Sequence, residues 1–216
     1  MINKDLKRRI IEISYPRKLS HLGSCLTAMD IIKEIYDLKK PNEKFILSSG
    51  HAHIAHAVMM ESLRIIKDVG DNIDKYGIHC ERPGGCDYST GSLGQGLPAA
   101  VGMALADRSK NVYCLISDGE CAEGSMFEAL QIIKQKKVIN LKIYLNNNGW
   151  AAYQDTKDYY LKKAFTFMLS GFGGIQGQFH CVNTNMNDYP EWLQGQQAHY
   201  LTLNEEQYKE IMEILK

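Results

Sequence analysis

The sequence predicts an α/β fold built on a parallel sheet. Two short apolar runs, at residues 112–116 and 141–145, have the length and the polar boundaries of buried strands. Between them, apolar residues recur at helical spacing from Met126 to Ile133, and lysines crowd the last turn. A strand, a crossover helix and a second strand nearly always form a parallel, right-handed unit.

Polar side chains follow both of these strands. Asp118 and Gly119 come after the first strand, and Asn148 follows the second. In a parallel sheet, both positions lie at the carboxyl edge, where open α/β folds bind ligands. A carboxylate and an amide oxygen are hard ligands suited to Mg²⁺ or Ca²⁺, and a glycine before a helix lets a phosphate approach the backbone. The same residue types also form ordinary turns, so the spacing alone leaves a plain strand–loop–helix unit open.

The N-terminal part of the chain has two predicted helices and a strand. Residues 3–15 show an amphipathic helical pattern, which Pro16 is expected to stop. His21 lies in a predicted turn, and Thr27 is expected to cap a helix over residues 28–38. Residues 45–47 form a short apolar run, which predicts a strand that leads into His51 and then into a helix through residue 66.

The remaining elements follow from composition and capping signals. Residues 70–96 are rich in turn formers, which predicts a long loop of the kind that is usually functional or disordered. A helix rich in small residues is expected over residues 97–108, and residues 179–182 are a candidate last strand. The closing segment predicts a helix capped by Asn204.

Composition excludes several classes of function. The chain has 216 residues, with 25 basic and 25 acidic side chains and a net charge of zero, so nothing favours nucleic acid as a partner. No apolar run approaches the length of a membrane span. Six scattered cysteines without a Cys-x-x-Cys pair favour a reduced, cytoplasmic setting. His79, Cys80 and Cys86 lie close in sequence, but no fourth ligand has zinc-motif spacing, so we predict no zinc site there.

Residues 118–148 resemble the thiamine-diphosphate signature of the transketolase family. The resemblance rests on Asp118-Gly119, on residues 123–124, 128–129 and 140–141, and on Asn148 at the end. It implies that Asp118, Asn148 and the backbone carbonyl of Trp150 bind Mg²⁺, with Ca²⁺ as an alternative ion. It also implies that Gly119 and Glu120 contact the cofactor. Ser117 replaces the first glycine of the signature, which removes no metal ligand.

Two further elements resemble the same family and carry its histidines. Residues 20–24, Ser-His-Leu-Gly-Ser, resemble the family's Gly-His-Pro-Gly-Ser element, which implies a catalytic role for His21 over the cofactor. Residues 47–52 resemble its Leu-Ser-x-Gly-His-Ala element, which implies that His51 contacts cofactor and substrate. His53 and His56 follow on the same predicted helix, and we interpret them as structural because the family does not require them.

The loop at residues 89–96 resembles the family's cofactor loop. The resemblance implies contacts from Gly91 and Leu93 to thiamine diphosphate, and a substrate contact from His79 if one residue is deleted before Pro83. It also implies that Glu123 joins a carboxylate network with a partner subunit. Beyond Trp150 the likeness weakens, and roughly forty residues of the usual layout are missing. His199 could replace a histidine of the family's end element, but we favour no role for it.

The resemblance implies a doubly wound parallel sheet flanked by helices, with residues 1–216 as a single diphosphate-binding domain. A separate pyrimidine-binding subunit is expected to complete the site, in an α2β2 heterotetramer. The implied activity is that of a thiamine-diphosphate-dependent transketolase, which transfers a two-carbon ketol unit between sugars or sugar phosphates. Two alternatives stay open: a subunit of another thiamine-diphosphate carboligase or synthase, and a non-catalytic scaffold that kept the fold.

Overall fold

The structure of the protein is a computed structural model that describes residues 3–171 and 178–216. At least one helix lies between each strand and the next strand in the chain. They are α1 (Lys4–Arg17), α2 (Leu22–Leu38), β1 (Lys44–Leu47), α3 (His53–Ser62), α4 (Val69–Tyr76), α5 (Gly96–Ala106), β2 (Val112–Ser117), α6 (Gly124–Lys136), β3 (Leu141–Asn147), α7 (Tyr160–Gly171), β4 (Phe179–Asn183) and α8 (Glu205–Ile214).

The four strands form one parallel sheet in the order β1-β2-β3-β4. Lys44 pairs with Val112, and Val112 pairs in turn with Leu141, so β1, β2 and β3 start level with one another. The predicted strand–helix–strand unit is therefore confirmed as β2–α6–β3. Because the strands are parallel, the residues that follow β1, β2 and β3 all emerge at one edge of the sheet.

Both faces of the sheet are buried, as predicted for a parallel α/β fold. Successive strand residues point to opposite faces, so Tyr113 and Leu115 pack on one side while Cys114 and Ile116 pack on the other. The first side is covered mainly by α1, α2, α3 and α8. The second is covered by α5, α6 and α7. This arrangement confirms the predicted class of a parallel sheet flanked by helices.

Four predicted boundaries were wrong, and one of them is the end of α3, which was expected at residue 66 and lies at Ser62. Helix α1 runs to Arg17 and includes Pro16, and it ends because Lys18 is left-handed. Helix α2 begins at Leu22, because the hydroxyl of Thr27 donates to the Gly23 carbonyl inside the helix and caps nothing. Residues 70–96 are not one loop, since an Asp68 side chain that accepts from the Asp71 N–H starts α4.

The predicted closing helix is confirmed as α8. Asn204 accepts a hydrogen bond from the Gln207 N–H, and the Gln207 side chain accepts one from the Asn204 N–H, which makes a reciprocal capping box. Tyr208 stacks on Tyr15 of α1 at a ring-centroid distance of 4.2 Å, which fixes α8 to the N-terminal helices. Across the two described stretches, every helix is too short or too polar to span a membrane.

Candidate functional site

A cleft opens at the carboxyl edge of the sheet, where β1, β2 and β3 end. Its volume is about 170 Å³, below the range of pockets that enclose a ligand of drug size. Most of the residues singled out in the sequence line it, together with some that were not. The lining residues are His21, Ser24, His51, His79, Gly91, Leu93, Ser117, Gly119, Asn148, Trp150, Ala151, Ala152, His199 and Tyr200.

Three histidines meet on one wall of this cleft. The ring centroid of His21 lies 5.4 Å from that of His51 and 4.6 Å from that of His199. His21 adopts a left-handed backbone (φ 63°) just before α2, and its N–H donates to the His199 carbonyl at 3.0 Å. The Tyr200 ring packs edge-on against His199, with the centroids 4.6 Å apart. Chain segments from both ends of the sequence therefore build this wall.

The clustered histidines are neutral near pH 7. Burial and the neighbouring His199 and His79 lower the pKa of His21 to about 4. Burial and the neighbouring His21, His199 and His79 lower the pKa of His51 to about 3. Burial also lowers the pKa of His199. A neutral imidazole has one nitrogen that donates a hydrogen bond and one that accepts, so this wall can bind hydroxyl groups as donor and as acceptor.

Asp118 lies directly behind the cleft and is completely buried. Its Oδ2 accepts hydrogen bonds from the Gly149 N–H at 2.9 Å and from the Thr156 hydroxyl at 2.5 Å, and it lies 3.8 Å from Lys162 Nζ. Its Oδ1 is buried and has no hydrogen-bond partner. Burial raises the pKa of Asp118, against the opposing effects of Thr156, Lys162 and Gly149. A buried carboxylate oxygen without a partner is the kind of atom that a metal ion would satisfy.

The other two predicted metal ligands lie beside Asp118. Asn148 follows β3, and its Oδ1 accepts from the Trp150 N–H at 3.0 Å, which holds the amide in a fixed orientation. The Trp150 carbonyl faces Gly119, because a Cβ built on Gly119 would lie 3.9 Å from that oxygen and 3.2 Å from the Ala151 Cβ. Carboxylate, amide and carbonyl oxygens are hard donors, so the set fits Mg²⁺ or Ca²⁺.

Glu120 was predicted to contact the cofactor, but its carboxylate faces the protein. It is fully buried and accepts from Ser48 Oγ at 2.5 Å, from the Gly94 N–H at 3.0 Å and from the Ser117 N–H at 2.8 Å. These bonds join the ends of β1 and β2 to the loop that carries Gly91. Protein donors already bind both carboxylate oxygens of Glu120. Its role in the site is therefore to position the loop that carries Gly91.

The loop from residue 89 to residue 95 packs tightly against the end of β1. A Cβ on Gly50 would lie 2.5 Å from the Thr90 carbonyl oxygen, so only glycine permits this approach. His79 lies against Gly91, since a Cβ built there would meet its Cδ2 at 3.4 Å. The structure thus brings His79, Gly91 and Leu93 to the same cleft as His51.

Glu123 does not line the cleft. It is exposed just before α6, and a Cβ on Gly94 would lie 2.7 Å from its Cβ. Its carboxylate is therefore open to solvent, a position that a second protein chain could reach.

Sequence reasoning missed two groups that belong to this site. His199 was given no role, yet its ring contacts that of His21, although about 180 residues of chain separate the two. Lys162 of α7 was not considered, and it lies within 2.9 Å of Thr156 Oγ1 and 3.2 Å of Asn147 Oδ1, beside Asp118. Neither contact follows a local motif, so only the tertiary fold could reveal them.

Comparisons with known proteins identify the family of the chain. Residues 69–215 match the family described as thiamine pyrophosphate enzyme, C-terminal TPP binding domain. The chain is 33% identical over 163 residues to one subunit of the apulose-4-phosphate transketolase of Phocaeicola vulgatus, an alignment that covers 66% of this chain and 58% of that protein. It is 33% identical over 175 residues to the transketolase of Homo sapiens, which covers 68% of this chain and 28% of that enzyme.

Solved structures show the same fold. A transketolase from Campylobacter jejuni superposes with a TM-score of 0.74 at 18% identity, over 98% of this chain and 42% of that one. A transketolase mutant from Pichia stipitis gives a TM-score of 0.71 at 15% identity, over 98% of this chain and 43% of that one. The chain thus spans less than half of these two structures and 58% or less of the two curated relatives.

Proposed function

The chain belongs to the thiamine pyrophosphate enzymes, within the transketolase family, and from that premise we propose that it binds thiamine diphosphate through Mg²⁺. With a partner subunit that binds the pyrimidine, it would transfer a two-carbon ketol unit between sugars or sugar phosphates. The fold and the family support the class of cofactor.

The observation that carries this proposal is the unpartnered Oδ1 of Asp118. A completely buried carboxylate oxygen without a hydrogen bond costs free energy, on the order of 1–3 kcal/mol or more for a charged group. A metal ion at this position would satisfy it. Asn148 Oδ1 and the Trp150 carbonyl would supply the next two ligands, and diphosphate oxygens and water would complete the shell.

The chain's own groups have distinct roles in this proposal. Thiamine diphosphate supplies a centre that stabilises a carbanion. Gly119 lets the diphosphate approach the backbone closely at the end of β2. Lys162 places a positive charge beside the Asp118 carboxylate. Gly91 and Leu93 would hold the cofactor's rings from the loop opposite.

The neutral histidines would handle the substrate. His21 and His51 both have a pKa well below 7, so each is neutral and offers a sugar hydroxyl one nitrogen that donates a hydrogen bond and one that accepts. His79 and His199 line the same cleft and would extend this recognition surface. A row of neutral imidazoles suits a polyhydroxylated substrate better than an anionic one.

We propose that a second chain completes the cleft. A volume of about 170 Å³ is small for a ligand the size of thiamine diphosphate, and the aromatic side chains of Trp150, Tyr153 and Tyr200 are exposed at or beside its rim. Exposed Glu123 would enter a carboxylate network with that partner. The Phocaeicola vulgatus relative is itself named as one subunit of a transketolase, which supports a divided enzyme, and we propose an α2β2 assembly.

We propose that residues 1–216 act as one diphosphate-binding domain. We propose a cytoplasmic setting, which the free cysteines of the chain favour because thiols stay reduced there. A different thiamine-diphosphate carboligase shares the metal site and differs in its donor, so the substrate assays must include a 2-keto acid.

The test is calorimetric titration of thiamine diphosphate with Mg²⁺ into the protein, alone and with its partner. Asp118→Asn should abolish Mg²⁺-dependent binding, because an amide supplies less charge to the ion. Asp158→Asn changes an exposed aspartate and should bind like the wild type. Equal affinity in Asp118→Asn and wild type would refute the metal site. No binding by wild type, even with the partner, would favour the non-catalytic scaffold.

A further inference from the structure

Four side chains that the proposed activity does not use meet in one buried cluster, which we call the Cys–His cluster. His53 and His56 come from α3, and Cys80 and Cys86 come from the loop between α4 and α5. Their exposed fractions are 1%, 2%, 1% and 6%. One potential ligand atom from each residue lies within 4.8 Å of every other. Of the residues that the structure describes, these four form the one such group.

The distances in the Cys–His cluster fit a tetrahedral metal site. Cys80 Sγ lies 3.5 Å from His53 Nδ1 and 4.0 Å from His56 Nδ1. Cys86 Sγ lies 3.7 Å from each of the same two nitrogens. Two ligands of a tetrahedral zinc ion, a sulfur at about 2.3 Å and a nitrogen at about 2.0 Å, are separated by about 3.5 Å. The four side chains therefore already surround the volume that an ion would occupy.

A neighbouring hydroxyl orients one of the histidines. Tyr36 Oη lies 2.7 Å from His56 Nε2, so His56 can donate its Nε2 proton to it and present an unprotonated Nδ1 to the two sulfurs. Metal-bound histidines commonly have such an outer partner.

We propose that His53, His56, Cys80 and Cys86 bind a structural Zn²⁺ ion through two Nδ1 and two Sγ atoms. Two thiolates and two imidazoles in tetrahedral array favour zinc over the hard cations that oxygen ligands bind. All four positions are supplied by the protein, so the ion has no open site for a substrate and its role is structural. This site is separate from the oxygen ligands around Asp118.

The ion would fix the loop that carries part of the cleft. The Cys80 carbonyl accepts a hydrogen bond from the Thr90 N–H at 3.0 Å, and the Thr90 hydroxyl donates to the Leu47 carbonyl at 2.6 Å. Cys80 follows His79 directly, and Thr90 precedes Gly91. A zinc ion held by α3 therefore anchors both His79 and Gly91 in place without touching either.

The prediction that no zinc site is present considered only ligands within one segment of the sequence. Cys80 and Cys86 have no suitable histidine near them in sequence, and His79, the nearest one, points to the cleft. The histidine ligands come from α3, and His56 lies 24 residues before Cys80. His53 and His56 lie at i and i+3 on one helical face, a spacing that brings two side chains to the same ligand.

The first test is the metal content of the purified protein, measured by inductively coupled plasma mass spectrometry under reducing conditions. We expect about one zinc ion per chain, and the same content in Cys181→Ser, which changes an exposed cysteine outside the cluster. In Cys80→Ser and in Cys86→Ser, zinc affinity should fall at least about tenfold, so that the purified variants hold less zinc. Purified protein that holds no zinc and takes up none when Zn²⁺ is added would overturn the proposal.

A second test keeps all four ligands, so its result holds even if the cysteine variants fail to fold. Replacing zinc by Co²⁺ should give intense tetrahedral d–d bands and thiolate charge-transfer bands. Tyr36→Phe keeps all four ligands and removes the hydroxyl at His56, so zinc affinity should fall about 10- to 100-fold. A spectrum typical of six oxygen ligands, or a Cys80–Cys86 disulfide found by mass spectrometry of the unreduced protein, would instead refute the zinc site.

Discussion

At the scale of single residues, His51 gives the most direct prediction about catalysis. If it exchanges protons with the substrate, His51→Asn should lower the turnover of the assembled complex by about 10²- to 10⁴-fold. The variant should keep most of the wild-type stability at pH 7, because Asn is polar like His and the His51 side chain lines a cleft. His180→Asn is the control, since His180 is exposed on β4. A loss of activity that merely follows a loss of stability would point to a structural histidine.

The same residue contributes to a loss of stability in acid. The folded state lowers the pKa of His51 from 6.5 to about 3, so below pH 6.5 the unfolded chain binds a proton that the folded one does not. The free energy of unfolding is therefore unaffected by His51 at pH 7, and it falls as the pH drops from 6.5 to about 3. His51→Asn should flatten this part of the curve of unfolding free energy against pH, and His180→Asn should not.

Single residues differ in how well the sequence predicts their place. His21, His51 and Asp118 were found because each lies next to a strand end or a turn with a local signature. His199 was not, because its contact with His21 depends on how the C-terminal segment returns to the sheet. Glu120 lies in the right motif, yet its carboxylate turns inward because three elements supply donors there.

At the scale of elements, Glu120 is predicted to hold two strand ends and a loop together. In Glu120→Gln the amide NH₂ would face a backbone N–H of Gly94 or Ser117, and one buried donor would lose its acceptor. We expect a loss of about 1–3 kcal/mol in the free energy of unfolding, measured with urea. Glu123→Gln, at an exposed site nearby, should change it by less than about 0.5 kcal/mol. Equal effects would contradict this role.

The strands were predicted well and the helix starts were not. Strands β1, β2 and β3 are short, largely apolar runs with polar ends, a pattern that depends on local sequence. Helix α2 starts six residues before the predicted position because the Thr27 hydroxyl bonds within the helix. Helix α4 was taken for loop because it has only eight residues and begins with a single side-chain cap. Capping residues have more than one use, so composition alone cannot place a helix start.

At the scale of the whole molecule, the prediction concerns dependence on a partner. The rigorously purified chain should show no ketol transfer, and adding the partner subunit should restore it. Light scattering should then report an α2β2 mass. The physical reason is a small cleft with Trp150 and Tyr200 exposed beside it, a surface that a second chain would cover. Turnover by the single chain would contradict the divided site.

The strand order also sets the entropy of assembling the sheet. Strands β2 and β3 pair across about 30 residues of chain, and β1 and β2 pair across about 70. Closing the longer loop costs about 0.8 kcal/mol more in chain entropy. Strand β1 has only four residues with which to offset that cost, so its position relies on two hydrogen bonds at its carboxyl end. Ser48 Oγ donates to the Glu120 carboxylate, and the Thr90 hydroxyl donates to the Leu47 carbonyl. The groups that shape the cleft thereby also close the longest loop of the sheet.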